Sequence, residues 1–124
     1  MILCDTNVFI HAFNGNQQTI EQLNTIGTNN IALSAITVME LYQGMGNKNE
    51  LMQMKKKLHY YDIVHVDKWI SDKAIELIAT FKLSHALQIP DAIIGATAII
   101  YNIPLYTYNV KDFNFMPNIN LYTI

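Results

Sequence analysis

The 124-residue sequence contains no arginine: all eight of its basic residues are lysines. Any phosphate it contacts must meet a lysine point charge or a backbone amide, not a two-pronged guanidinium. Charge of either sign is scarce. Charged residues make up 15% of the chain and the formal net charge is −2. That excludes a polyanion binder held by bulk charge, and it excludes long disordered charged tails. Cysteine is limited to Cys4, so no disulfide can form within the chain, as suits a reducing compartment. Cys4 stands in an apolar run and reads as a small core residue. The longest apolar stretch, Ala92–Tyr101, is about half of the ~20 residues that span a bilayer. The N-terminus lacks a basic region followed by a long apolar stretch, so no signal peptide is visible. These absences predict a soluble, cytoplasmic protein with no membrane partner.

What is present is apolar material for one core. Hydrophobic residues are 51% of the chain, and the length fits one domain, residues 1–124. Short apolar runs alternate with helical patterns. Strands are predicted at Ile2–Cys4, Ile31–Ser34, Ile63–Val66 and Pro104–Tyr108, with a last edge strand at Leu121–Thr123. Helices are predicted at Thr6–Phe13 and Thr19–Ile26, over "SAITVMELYQ" until Gly44 and Gly46, and at Glu50–Leu58. A long helix follows the cap Asp67, and a last one runs over Asp91–Tyr101 behind Pro90. The alternation predicts an α/β fold with a mainly parallel sheet and helices on both faces.

Ligands of such sheets bind at the carboxyl ends of the strands. Four acids fall there. Asp5 ends the first strand. Glu40 lies in the first turns of the helix that follows the second strand. Asp91 opens a helix that must run back down the sheet, so its start sits at the same edge. Asp112 follows the Pro104–Tyr108 strand. Each has a bland alternative. Asp5 or Thr6 can cap a helix, Glu40 completes a capping box with Thr37, Asp91 suits a helix dipole, and Asp112 can be a solvated loop residue. Together they fall where one pocket would collect them, if the sheet is parallel. Crowded carboxylates need compensation, which hard divalent cations such as Mg²⁺ or Mn²⁺ supply with oxygen ligands and retained waters. Two such ions assist phosphodiester hydrolysis. Thr6 and Asn7 can serve the metal waters or a neighbouring carboxylate. Lys111 can hold a flanking phosphate or stay solvated.

Other chemistries lack their patterns. There is no Gly-rich phosphate loop and no nucleophile elbow. His11, His59, His65 and His85 show no metal-finger spacing and read as surface or satisfied histidines. Some of the seven tyrosines can stack bases, but nothing in the sequence selects which.

The segments "ILCDTNVFI", "ITVMELYQG", "IPDAIIGATA" and "LYTYNVKDF" resemble, in order and spacing, the motifs of PIN-domain ribonucleases, and in particular of small VapC-type toxins of toxin–antitoxin pairs. The resemblance runs from Ile2 to Phe113. It implies a PIN-like three-layer α/β/α fold and a metal-dependent endoribonuclease using one or two Mg²⁺ or Mn²⁺ ions to hydrolyse RNA in line. It implies metal-ligand roles for Asp5, Glu40 and Asp91, with Thr6 in support. It also implies a homodimer and a cognate antitoxin that blocks the active-site groove. The family places its fourth acid at the position of either Asn109 or Asp112; Asn109 is an amide, which leaves Asp112. Two alternatives remain: a non-catalytic scaffold of the same fold, and an aspartyl-phosphate phosphatase. The latter wants Asp-x-Asp where this chain has Asp5-Thr6-Asn7.

Overall fold

Neighbouring residues along the central strands go to opposite cores. In β1 (Ile2–Cys4), Leu3 enters one apolar cluster and Cys4 another. In β2 (Ile31–Ser34), Ala32 joins the cluster of Leu3, whereas Ile31 and Leu33 join that of Cys4. Successive strand side chains point to opposite faces, so this alternation means a sheet buried on both sides. The computed structural model describes residues 1–123. In it β3 (Asp62–Val64) pairs with β2, and β4 (Leu105–Tyr106) pairs with β1, giving the order β3-β2-β1-β4. All of these pairings are parallel.

Helices cover both faces. On the Cys4 side lie α1 (Thr6–Phe13), α2 (Gln17–Ile26), α3 (Ala35–Gln43) and α4 (Lys48–Leu58). They contribute Val8, Phe9, Leu23, Leu41, Met54 and Leu58 to the core. On the Leu3 side lie α5 (Lys68–His85) and α6 (Ile89–Tyr101), which bring in Ile70, Leu77, Ala92 and Ile94. The result is the three-layer α/β/α arrangement. Asp67 caps α5 as predicted, its side chain accepting from the Ile70 N–H. Among the described residues, no helix is long and apolar enough to cross a membrane.

Several predicted boundaries move. The α2 helix starts at Gln17 rather than Thr19, because Asn16 caps it through the Thr19 N–H. The α4 helix starts at Lys48 rather than Glu50, because Asn47 caps it through the Glu50 N–H. Pro90 lies inside the first turn of α6, where its missing N–H costs nothing. Strand β3 spans Asp62–Val64, not Ile63–Val66, since β2 offers pairing partners only up to Ser34. Strand β4 keeps two of the five predicted residues, because β1 ends at Cys4 and pairs only Leu3 with Leu105 and Cys4 with Tyr106. Leu121–Thr123 reduces to one bridge between Leu121 and Leu105.

Glycine matters at one core position. A Cβ on Gly95 of α6 would stand 2.4 Å from Sδ of buried Met116. The bare backbone there lets the segment after the Val110–Asp112 turn lie close against α6.

Candidate active site

The carboxyl edge of the sheet holds Asp5, directly after β1. Asp5 is 4% exposed and caps α1, with Oδ1 accepting from the Thr6 N–H at 2.8 Å. Oδ2 accepts from the Thr107 hydroxyl at 2.8 Å. Capping and a place in the acid cluster are thus compatible uses of one side chain. Burial pushes its carboxyl above the usual range; the bonds from Thr107 and Thr6 pull it down, and Glu40 and Asp112 push it up.

Glu40 lies in the second turn of α3. The capping box drawn with Thr37 does not form, because Ser34 is the cap of α3. Instead the Thr6 hydroxyl reaches Glu40 Oε1 at 2.8 Å, and Thr6 Oγ1 is 3.0 Å from Thr37 Oγ1. Thr6 has a single hydroxyl hydrogen, so its bond to the carboxylate leaves Thr37 as the donor to Thr6.

Asp91 occupies the first turn of α6 and is partly buried. Its carboxyl is pushed up to about 7, first by burial and then by the charges of Asp5, Asp112 and Glu40. Asp112 ends the short turn Val110–Asp112 and is exposed. Its charge is felt at both Asp5 and Asp91. The fold therefore gathers the four predicted acids into one electrostatic neighbourhood.

Among the described residues, none of the four pairs with a lysine. The ion pair found among the described residues joins Lys73 to Glu76, away from this edge. Lys111 is exposed and shares a shallow depression with Tyr108, Asn109, Val110 and Asp112. Asn109 is exposed, and its N–H donates to Thr107 Oγ1 at 3.0 Å. Asn7 accepts the Tyr108 N–H on Oδ1 at 3.4 Å, while its Nδ2 is buried without a partner among the described residues. Cys4, beside Asp5, is buried and its thiol is pushed up to about 12 by that burial, which suits a core residue and not a nucleophile.

Among the described residues, no three Asp, Glu, His or Cys side chains close on one point as a finished metal cage. That is compatible with Mg²⁺, which keeps several waters and needs only one or two direct carboxylates. The donors at this edge are oxygens that repel one another and, among the described residues, form no ion pair with a lysine, so they fit a hard divalent ion. Thr107 was missed in the sequence. Its signal was a lone hydroxyl between Tyr106 and Tyr108, at the place where the first strand ends in an acid.

The PIN domain family model matches residues 2–114. No curated protein matches the chain significantly. Among solved structures, a chain from a toxin–antitoxin complex of Klebsiella pneumoniae is 30% identical, with a TM-score of 0.80 and 100% of both chains covered. A chain of VapBC2 from Rickettsia felis, bound to a DNA fragment from its promoter, is 29% identical over 98% of each chain, with a TM-score of 0.79. A chain of DNA-bound VapBC from Salmonella typhimurium has a TM-score of 0.85 at 19% identity, covering 98% of this chain and 96% of that one, and speaks for the fold alone. The family model spans most of the sequence, so this chain belongs to the PIN-domain family.

Proposed function

We propose that the chain is a metal-dependent endoribonuclease and the toxin of a cytoplasmic toxin–antitoxin pair. The observation that carries the reading is Asp91. Its carboxyl is raised to about 7 by burial and by three other acids, and among the described residues none of the four acids forms an ion pair with a lysine. Such a cluster is a poor structural device and a good divalent-cation site. Asp5, Glu40 and Asp91 are the proposed ligands, with Asp112 completing the set directly or through water. One or two Mg²⁺ or Mn²⁺ ions would polarise the scissile phosphate and lower the pKa of a bound water.

The chain's own residues do the positioning. Thr107 and the Thr6 N–H hold the two oxygens of Asp5 in fixed directions. The Thr6 hydroxyl does the same for Glu40. Lys111, exposed beside Asp112, is the proposed point-charge contact for a flanking phosphate. The solved relatives from toxin–antitoxin complexes support an antitoxin partner. A homodimer is proposed as well. The groove between α5 and α6, about 500 Å³ and lined by residues such as Ala74, Ile75, Ile78, Ile89 and Ile93, carries no charge to repel a second copy across a two-fold axis.

The test is cleavage of single-stranded RNA by the purified chain with Mg²⁺ or Mn²⁺, and growth of a bacterial host expressing it. Wild type should cleave and arrest growth, and Asp5→Asn should do neither at equal protein level. Equal tolerance of both in the host sinks the toxin reading. Absence of cleavage under both metals sinks the nuclease reading.

A further inference from the structure

We propose that the tilted His11–Tyr108 aromatic pair is a platform for one unpaired base of the RNA strand cut at the carboxylate edge; the proposal rests on the nuclease reading above. The two rings lie 4.6 Å apart between centroids and 31° from parallel. His11 is exposed, and Tyr108 is 39% exposed. Both grow from the elements that carry the acid cluster. His11 is one turn beyond Asn7 on the helix that Asp5 caps. Tyr108 follows Thr107, the donor to Asp5.

Tyr108 is anchored more firmly than a surface tyrosine requires. Its hydroxyl bonds to the Thr19 and Tyr106 hydroxyls at 2.5 and 2.9 Å, and its backbone N–H is held by Asn7. Fixing the ring in advance lowers the ordering cost of stacking a ligand on it. Tyr108 also forms the ridge between two shallow depressions. One, about 430 Å³, contains Lys111 and Asp112. The other, about 290 Å³, contains Gln18, Gln22 and Glu21. With a cation on Asp112, as proposed above, a phosphate suits the side of Lys111, whereas Glu21 repels it on the other. The two glutamine amides, each both donor and acceptor, suit a base edge.

Charge bookkeeping points the same way. With net charge −2 and no arginine, bulk attraction to the RNA backbone is weak and guanidinium stacking is unavailable. Aromatic stacking supplies affinity that is tolerant of sequence and specific for single strands.

The test is steady-state cleavage of single-stranded RNA by the full chain, with His11→Ala, Tyr108→Leu and Tyr108→Phe. One abasic nucleotide is scanned along the RNA. Loss of a stacked ring should raise KM about tenfold with a smaller effect on kcat. Tyr108→Phe, which keeps the ring, should lie nearer wild type. At one abasic position wild type should lose the same factor, and the variants should lose nothing further, because the contact is already gone. His11→Ala carries the test if Tyr108→Leu does not fold. Wild-type cleavage with unchanged variants overturns the platform alone. A variant defect undiminished on every abasic RNA makes the pair structural and overturns it. Unchanged RNA kinetics with lost binding of a protein partner assigns the rings to that partner and overturns it too. Wild type inert toward RNA overturns the nuclease reading and the platform together.

Discussion

Thr107 donates its hydroxyl hydrogen to Oδ2 of Asp5 at 2.8 Å, across 102 positions of sequence. The Asn109 N–H occupies the Thr107 oxygen from the other side at 3.0 Å, which leaves the hydroxyl hydrogen free to point at the carboxylate. Thr107→Val keeps the shape and removes the bond. The buried Asp5 oxygen then lacks its donor, at a cost of about 1–3 kcal/mol. The Asp5 carboxyl should rise further, because this bond is one of the two that lower it. The acid limb of the pH–rate profile should move to higher pH, and Thr107→Ser should hold it in place. A Thr107→Val profile that overlays wild type would show that Thr107 does not set the state of Asp5.

The raised Asp91 makes metal-free stability depend on pH. Its carboxyl moves from 3.8 to about 7 on folding, so the folded chain holds a proton that the unfolded chain has released. Stability should therefore fall as pH rises from about 4 to about 7 and then level off. Asp5, Glu40 and Asp112 are the charges that face Asp91. Asp91→Asn should flatten that decline. Urea melts across this range in EDTA measure it, and a wild-type stability rising from pH 4 to 7 counts against the cluster.

Divalent cations should reverse the effect. Mn²⁺ or Mg²⁺ that binds only the folded chain stabilises it by about 2.7 kcal/mol at a hundredfold excess over Kd. The melting temperature should climb with metal concentration, and Asp91→Asn should blunt the climb. Identical melting curves with and without millimolar Mn²⁺ would falsify the site.

Asp112 and Asn109 separate the two choices for the fourth position. Both are exposed, so either substitution should change stability by less than about 0.5 kcal/mol. Asp112→Asn should cut cleavage strongly, though less than Asp5→Asn. It should also let the Asp91 carboxyl fall toward its ordinary value, since Asp112 is one of the charges raising it. Asn109→Ala should matter little. A large loss at Asn109 with none at Asp112 reverses the assignment.

Gly95→Ala should destabilise the chain. Alanine gains up to about 1 kcal/mol of helix propensity, but its Cβ would press on Met116 Sδ at 2.4 Å, and overpacking costs about 1–3 kcal/mol. Met116 is buried and flexible, so the pair should be coupled. Combining Gly95→Ala with Met116→Ala should cost less than the sum of the single changes. Strict additivity in denaturant midpoints argues against the contact.

Much of this architecture was legible in the residues. Short apolar strands alternating with helical patterns point to a mainly parallel sheet covered on both faces, and the rule placing ligands at carboxyl strand ends sets Asp5, Glu40, Asp91 and Asp112 at one edge. Helix starts were misread where a cap lay outside the apolar stripe, as with Asn16 and Asn47. The extent of β4 was not readable in its own residues, because it is set by its partner β1, which ends at Cys4. The contacts of Thr107 with Asp5 and of Tyr108 with His11 and Thr19 join the two ends of the chain, which no local pattern encodes.

The central strand acquires its second neighbour late. Leu3 pairs with Ala32 on one side and Leu105 on the other. A ribosome adding ~5–20 residues per second needs roughly 5–20 seconds to pass from Asp5 to Asp112. Throughout that interval Asp5 lacks the Thr107 donor, and Asp91 and Asp112 are the last of the acids to be made. The four acids can thus share one edge only once Asp112 has been made, so the cluster is a property of the finished chain and not of any shorter nascent one.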